Sequence, residues 1–272
     1  MSFNLPKWFD RSVRQQQLDD HVDRSQTATF GFRQMPAKEK KDWVRRHFDR
    51  VAPNYDFMNT LLSLGIHYLW KRIAVARLDL KPGDRVLDVC GGTGDLSILA
   101  RQKVGRKGQV VVYDINRAML DAGRDKTTNG QIRNQLHYVQ GDAEFISFPD
   151  NRFDAVMVSF GIRNVTHLKQ AFAEMHRVLK PGGKLLCLEF SKPVNPLFRW
   201  LYDFYSFTVM PFLGEILVGD RQGYVCLPET IRLFSLPEEL SHILEEIGYE
   251  RIAYRRLTNG IAVAHTGVRP VE

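Results

Sequence analysis

The chain has 272 residues, of which 44% are hydrophobic, 25% charged and 11% aromatic, a profile that excludes disordered, fibrous and disulfide-stapled classes. Its net charge of +7 is uneven, since the first 50 residues hold 11 Lys/Arg against 7 Asp/Glu, and this scatter through a polar leader is unlike the clustered face of a nucleic-acid groove. Cys90, Cys187 and Cys226 are too few and too widely spaced for a disulfide framework or a CxxC site, and no close pairing of histidines suggests a metal.

The start, Met1 to Asp10, lacks an apolar signal core, and the uncharged stretch Phe204 to Gly214 has 11 residues and contains Pro211. A spanning helix needs about 20 apolar residues, so a cytoplasmic protein is expected, with no metal. Residues 1–40 read as a polar N-terminal extension, partly disordered, either a solvated tail or a partner-binding arm. One domain is expected over 41–272. Helices are expected from about Lys38 to Val51 and from about Tyr55 to Leu78, separated by Pro53 and closed by Lys81-Pro-Gly-Asp84.

Short β-branched runs then alternate with helical stretches. Strands are expected at Arg85–Cys90, Gln109–Asp114, Leu136–Gln140, Phe153–Ser159 and Lys184–Glu189, with helices at Asp95–Arg101, Arg117–Thr127 and Leu168–Leu179. This alternation means an α/β fold, with a parallel sheet covered by helices on both faces and ligands outside the carboxyl ends of the strands. An aromatic-rich insertion occupies about 192–236. A helix at Pro237–Ile247 and the runs Tyr249–Arg255 and Gly260–His265 follow, the last two as an antiparallel pair completing the sheet.

The first strand runs into Gly91-Gly-Thr-Gly94 and then a helix, a turn whose glycines permit close approach of a ligand. The dinucleotide pattern GxGxxG fails, because Ser97 stands at its third glycine. A purely structural turn is the alternative reading. Three more strand ends converge: Asp114, twenty residues after Gly94, suits ribose hydroxyls; Asp142 and Ala143 suit an adenine amino group and ring; Ser159 ends the fourth strand. Each Asp alone could be a helix cap, but four strand ends at one crevice make a nucleoside site. With no Lys after the turn, Asp88 and Asp95 would repel a pyrophosphate and suit a cation.

On these residues the chain resembles class I S-adenosylmethionine-dependent methyltransferases, which implies a Rossmann-like, mostly parallel sheet with one antiparallel strand. Leu87-Asp-Val-Cys-Gly-Gly-Thr-Gly-Asp-Leu96, Ser159-Phe-Gly-Ile-Arg-Asn-Val165, Arg177-Val-Leu-Lys-Pro-Gly-Gly183 and Leu188-Glu-Phe-Ser-Lys-Pro193 resemble the ubiquinone/menaquinone biosynthesis C-methyltransferase family. Phe48-Asp-Arg-Val-Ala-Pro-Asn-Tyr-Asp-Phe-Met-Asn59 and Gly65-Ile-His-Tyr-Leu-Trp-Lys-Arg72 extend the likeness, which spans about Val22 to Gly267. The resemblance implies S-adenosylmethionine contacts at Thr93, Asp114, Asp142, Ala143 and Ser159, with Asp88, Gly92 and Gly94 lining the methionine part. Cys90, where relatives often carry Ala, keeps a small side chain.

The resemblance also implies a polyprenylated quinol substrate, demethylmenaquinol and/or the methoxy-benzoquinol intermediate of ubiquinone synthesis. Arg163 is the candidate contact to the quinol oxygen, stabilising a phenolate while a water or carboxylate takes the proton; a surface pairing with Asp154 or Glu189 is the alternative. Tyr55, Asp56 and Asn59 either close over the cofactor or turn and cap the second helix. The aromatic insertion is a lid or simply core, and with the basic leader it suggests peripheral attachment to the inner face of the membrane. A homodimer or an assembly with other quinone-pathway enzymes is compatible with the sequence, and no nucleic-acid partner is expected. A nucleic-acid methyltransferase would carry Asn/Asp-Pro-Pro-Tyr after the fourth strand, where this chain has Ser159-Phe-Gly-Ile-Arg163; a non-catalytic nucleoside-binding protein and a dehydrogenase are the other rivals.

Overall fold

The computed structural model describes residues 6–128 and 135–271. Nine strands are seen among them: β1 (Thr27–Phe30), β2 (Arg33–Pro36), β3 (Arg85–Val89), β4 (Gln109–Asp114), β5 (His137–Gln140), β6 (Phe153–Ser159), β7 (Leu179–Phe190), β8 (Glu250–Leu257) and β9 (Ala262–Val268). The α-helices are α1 (Arg11–Gln15), α2 (Asp19–Ser25), α3 (Ala37–Val51), α4 (Tyr55–Leu62), α5 (Ile66–Ala76), α6 (Asp95–Val104), α7 (Arg117–Thr128), α8 (Leu168–Val178), α9 (Pro196–Phe204), α10 (Met210–Val218), α11 (Arg221–Leu233) and α12 (Pro237–Ile247).

The central strands are continuous apolar runs because both faces are covered. Leu87, Val89, Val111 and Tyr113 face α8 and α12 in one buried cluster. Their neighbours Val86, Val110 and Val112 face α5 and α6 in another, as the two-residue period of a strand requires. Strand order is β5-β4-β3-β6-β7-β9-β8. Strands β3 to β7 pair in parallel, and β9 is antiparallel to both its neighbours β7 and β8. From β3 the chain builds outward through β4 to β5, then returns to place β6 on the other side of β3. The crevice of such a sheet opens at that reversal, beyond the carboxyl end of β3.

Two expectations change. The single helix expected between Tyr55 and Leu78 is broken into α4 and α5, because Leu64 and Gly65 both take left-handed backbone angles (φ +50° and +75°). The leader begins with residues 1–5, outside the described residues, but from Arg11 onward it is folded onto the domain. The β1–β2 hairpin buries Phe30 and Met35 against Val44; Arg14 pairs with Glu239 at 2.7 Å; the Asp19 carboxylate accepts the backbone N–H groups of Lys169 and Gln170, each at 2.9 Å, at the start of α8. Polar residues that look solvated in sequence are here partners of groups far along the chain.

The insertion forms α9, a wider helical turn (Tyr205–Val209), α10 and α11. It packs over α4, where the Tyr205 hydroxyl donates to the Leu62 carbonyl at 2.8 Å.

Candidate active site

At the carboxyl ends of β3 and β6 the backbone turns sharply. Cys90 (φ +53°) and Phe160 (φ +54°) both sit in the left-handed region, each one residue past its strand. Gly161 follows at the second of these turns, and a Cβ there would collide with the Cβ of Cys90. The two strand ends therefore meet without spare room. Gly92, also left-handed at φ +54°, directs its N–H at the Asp114 carboxylate, 2.9 Å away.

Asp114, Asp142, Ala143, Ser159 and Gly92 line one crevice, roofed by Lys41 and Phe48 of α3. Asp114 accepts N–H groups from Gly92 and, at 2.8 Å, Asn116. Burial nevertheless pushes its carboxyl up to about 6, against those two hydrogen bonds. Each Asp114 oxygen keeps acceptor capacity for a hydroxyl pair. Asp142 accepts from the Glu144 N–H at 3.0 Å and is paired with Lys41. The crevice is open to solvent and holds about 80 Å³, with Lys41 and α3 along its roof.

The other expected contacts lie elsewhere. Asp88 is buried beneath the turn and does not line the crevice. One of its oxygens accepts from the Ser97 hydroxyl (2.6 Å) and N–H (3.1 Å), and burial pushes its carboxyl up to about 7. It braces the start of α6 through that oxygen, while the other is buried with no hydrogen-bond partner among the described residues. Gly94, left-handed at φ +82°, packs against Tyr138 and Val112. Thr93 donates its hydroxyl to Asp56 at 2.7 Å. Asp56 also accepts from Lys126 at 2.7 Å, Lys126 reaches Asp95, and Asp95 is paired with Lys71 at 2.6 Å. The expectation that Asp95 repels anions is thus corrected: although burial alone raises its pKa, Lys71 and Lys126 hold its carboxyl well below the usual carboxylate range. Asp56 fastens α4 over the glycine turn and does not cap a helix through its side chain.

A second, larger cavity of about 330 Å³ lies beside the crevice, and Phe48, Tyr55, Phe160 and Asn164 line both. Its far wall comes from α9 to α11, and Arg163 reaches it from the loop after β6. The Arg163 guanidinium pairs with buried Glu189 at 2.9 Å, donates to the Phe160 carbonyl and, at 3.3 Å, to the Thr230 hydroxyl. Its Nη2 has no hydrogen-bond partner among the described residues. Arg163 pairs with Glu189, as one sequence reading had it, but as a buried side chain rather than a surface one, and it also lines the cavity. Tyr55 opens α4, and burial pushes its hydroxyl up to about 12, so it keeps its proton and can donate a hydrogen bond at neutral pH. Asn59, one turn on, lines the same cavity.

Sequence reasoning missed Lys41, His67, Lys71 and Lys126. They lie on helices whose approach to the strand ends is set by packing, and no local spacing marks them. Among the described residues, no cluster of His, Cys, Asp or Glu could hold a metal ion.

Solved structures similar to this chain share its fold at low identity. The [4+2]-cyclase SpnF matches with a TM-score of 0.64 and 18% identity, covering 85% of this chain and 97% of that one. A SAM-dependent methyltransferase from Aquifex aeolicus matches with a TM-score of 0.53 and 21% identity, over 73% and 88%. At the sequence level the relationship is far closer. The "Ubiquinone/menaquinone biosynthesis C-methyltransferase UbiE" of Stutzerimonas stutzeri (strain A1501) is 46% identical over 248 residues, 91% of this chain and 97% of that protein. The protein of the same name from Methylococcus capsulatus is 47% identical over 243 residues, 89% and 98%. The profile of the ubiE/COQ5 methyltransferase family matches residues 26–269, and the chain belongs to that family.

Proposed function

We propose that this protein transfers the methyl group of S-adenosylmethionine to a ring carbon of a polyprenylated quinol, demethylmenaquinol and/or the methoxy-benzoquinol intermediate of ubiquinone synthesis. The observation that carries the reading is the pair of adjoining cavities: a crevice with a nucleoside's donor and acceptor demands, and beside it a larger apolar one that shares four wall residues. Relatives at 46% and 47% identity bear the matching name.

The crevice fits the cofactor chemically. Asp114 retains acceptor capacity for the ribose hydroxyls, Asp142 can accept from the adenine amino group beside the small Ala143, and Ser159 and Gly92 complete the walls. Thr93 becomes available where Asp56 releases it. When bound, S-adenosylmethionine supplies an already activated methyl electrophile, so the protein's own task is to hold an electron-rich carbon in line. Arg163 is placed to stabilise negative charge on a quinol oxygen, using a guanidinium too basic to give up its proton. Glu189 behind it fixes the guanidinium plane. Phe160, Phe190 and Trp70 exclude water around the ring.

The substrate's tail partitions into lipid, and the cavity mouth is suited to meet it there. Leu64, which lines the cavity, is 89% exposed, and α9 and α10, which supply residues of the far wall, carry exposed Leu197, Trp200, Leu201, Phe212, Ile216 and Leu217. No helix among the described residues is long and apolar enough to cross a membrane. We read this apolar rim as a face that rests on the bilayer surface, with Trp200 at its interfacial edge.

The test is to supply purified protein with methyl-labelled S-adenosylmethionine and a demethylated quinone, with and without a reductant. Label entering the ring only under reduction is the expected result. Label entering RNA, or none entering a reduced quinol, would overturn the proposal.

A further inference from the structure

C-methylation replaces a ring hydrogen by a methyl group, so each turnover releases one proton, and the attacking electron pair comes from an oxygen that has lost its own. Some group at the cavity wall has to receive that proton. Resting on the quinol reading above, we propose that His67 is this acceptor and that Ser63 positions it.

Among the described residues lining the larger cavity there is no aspartate or glutamate. Burial pushes the hydroxyls of Tyr55, Tyr202 and Tyr224 up to about 12 and raises the Cys226 thiol; these groups hold their protons. Lys71 is an ammonium paired with Asp95. Two imidazoles remain, His47 and His67, each lowered to about 4 by burial and so neutral with a free lone pair.

The two differ in what orients them. His47 is wedged between the ring edges of Phe30 and Phe48, with no hydrogen bond fixing its ring among the described residues, and Arg50 and Arg163 oppose a positive charge on it while Asp220 favours one. His67 is held by a relay. Ser63 Oγ lies 2.6 Å from His67 Nδ1 and 2.6 Å from the Asn59 carbonyl oxygen. A carbonyl can only accept, so the single Ser63 hydroxyl proton goes to Asn59. Nδ1 must then carry its own hydrogen and donate it to Ser63 Oγ, which leaves the lone pair on Nε2. That nitrogen has no hydrogen-bond partner among the described residues.

Charges of both signs face His67, the largest being that of Lys71. Lys71 of α5 and Lys126 of α7 oppose an imidazolium, while Asp95 of α6 and Asp56 of α4 favour one. The same four side chains fasten α4 over the glycine turn, so His67 stands on that side of the cavity.

In the proposed step the quinol O–H bond breaks and its proton goes to Nε2. The freed pair is passed through the ring to the carbon that forms the new bond to methyl, and the methyl's former bonding pair stays with sulfur. The ring hydrogen then leaves as a proton, its C–H pair restoring the aromatic ring and returning the oxygen's own pair, and that oxygen takes back the proton held on Nε2. Net, one C–H becomes C–CH3 and one proton reaches solvent.

His67→Gln is expected to lower kcat about 100-fold or more, with the KM for quinol and the affinity for S-adenosylmethionine within about threefold. Imidazole added to His67→Gly should restore part of the rate. Ser63→Ala should lower kcat without raising KM, and Ser63→Thr should recover it. Nitrogen NMR of the unmodified protein at neutral pH should show the Nδ1–H tautomer of His67, a readout that survives even if the variants fold poorly. Wild-type kcat in His67→Gln, or the Nε2–H tautomer, would sink the assignment while leaving quinol methylation standing. A wild-type protein that methylates no reduced quinol would instead remove the reading on which it rests.

Discussion

Replacing Gly161 with alanine probes the junction on which the crevice depends. Gly161 has an ordinary backbone (φ −122°, ψ −34°), so alanine brings no torsional penalty, only a Cβ that collides with the Cβ of Cys90. Neither side can retreat easily, because β3 and β6 are hydrogen-bonded in register up to Val89 and Val158. Overpacking of this kind costs about 1–3 kcal/mol, which for a domain of this size is a fall of roughly 2–5 °C in Tm. Cys90→Gly removes the opposing Cβ and relieves a left-handed non-glycine residue, a gain of about 1 kcal/mol offset by about the same loss of buried thiol contact. That single change should therefore be nearly neutral. In the double variant the collision is gone, so the coupling between the two sites should be about 1–3 kcal/mol. Urea unfolding followed by tryptophan fluorescence measures all four proteins. Because both residues line the nucleoside crevice, cofactor affinity should fall in Gly161→Ala and return in the double variant. Stabilities that add to within about 0.5 kcal/mol would refute the steric argument.

Arg163→Ala alone strands a buried carboxylate and should destabilise by about 3–5 kcal/mol, so Arg163→Ala is best combined with Glu189→Gln; turnover should then drop about 100-fold or more with cofactor affinity nearly intact, and an equal collapse of affinity would contradict the assigned role. The raised carboxyl of Asp114 has a linked consequence: ribose hydroxyls are accepted by the carboxylate, so cofactor affinity should fall about tenfold per pH unit below about 6, and calorimetry showing flat affinity from pH 5 to 7 would contradict it. The same raised value means that folding favours protonated Asp114, so its contribution to stability is present at low pH and lost as pH rises through about 6; Asp114→Asn should flatten that segment of the stability profile. Trp200→Glu with Phe212→Glu should weaken flotation with anionic vesicles and raise KM for a long-tailed quinol while leaving a tail-less analogue unaffected; equal effects on both substrates would argue against a bilayer-facing rim.

The strands were legible because burial on both faces writes them as unbroken runs such as Val110 to Tyr113, and the glycine turn because its geometry is local. Asp114, Asp142, Ala143 and Ser159 follow from those same strand ends. What sequence could not reveal is pairing across the chain. Arg14 and Glu239 stand 225 positions apart, and Lys126 and Asp56 stand 70 apart, so the leader looked solvated and Asp95 looked like an open charge. Asp88 is ambiguous for a related reason: a carboxylate at a strand end can serve the ligand or the next helix, and its hydrogen bonds to Ser97 show only in the fold.

Phe48, Tyr55, Phe160 and Asn164 belong to both cavities, and this common partition has a thermodynamic corollary. Any shift of these side chains that admits the cofactor also reshapes the quinol chamber, so the two occupancies are linked, and whatever factor one ligand imposes on the other's affinity is returned in equal measure.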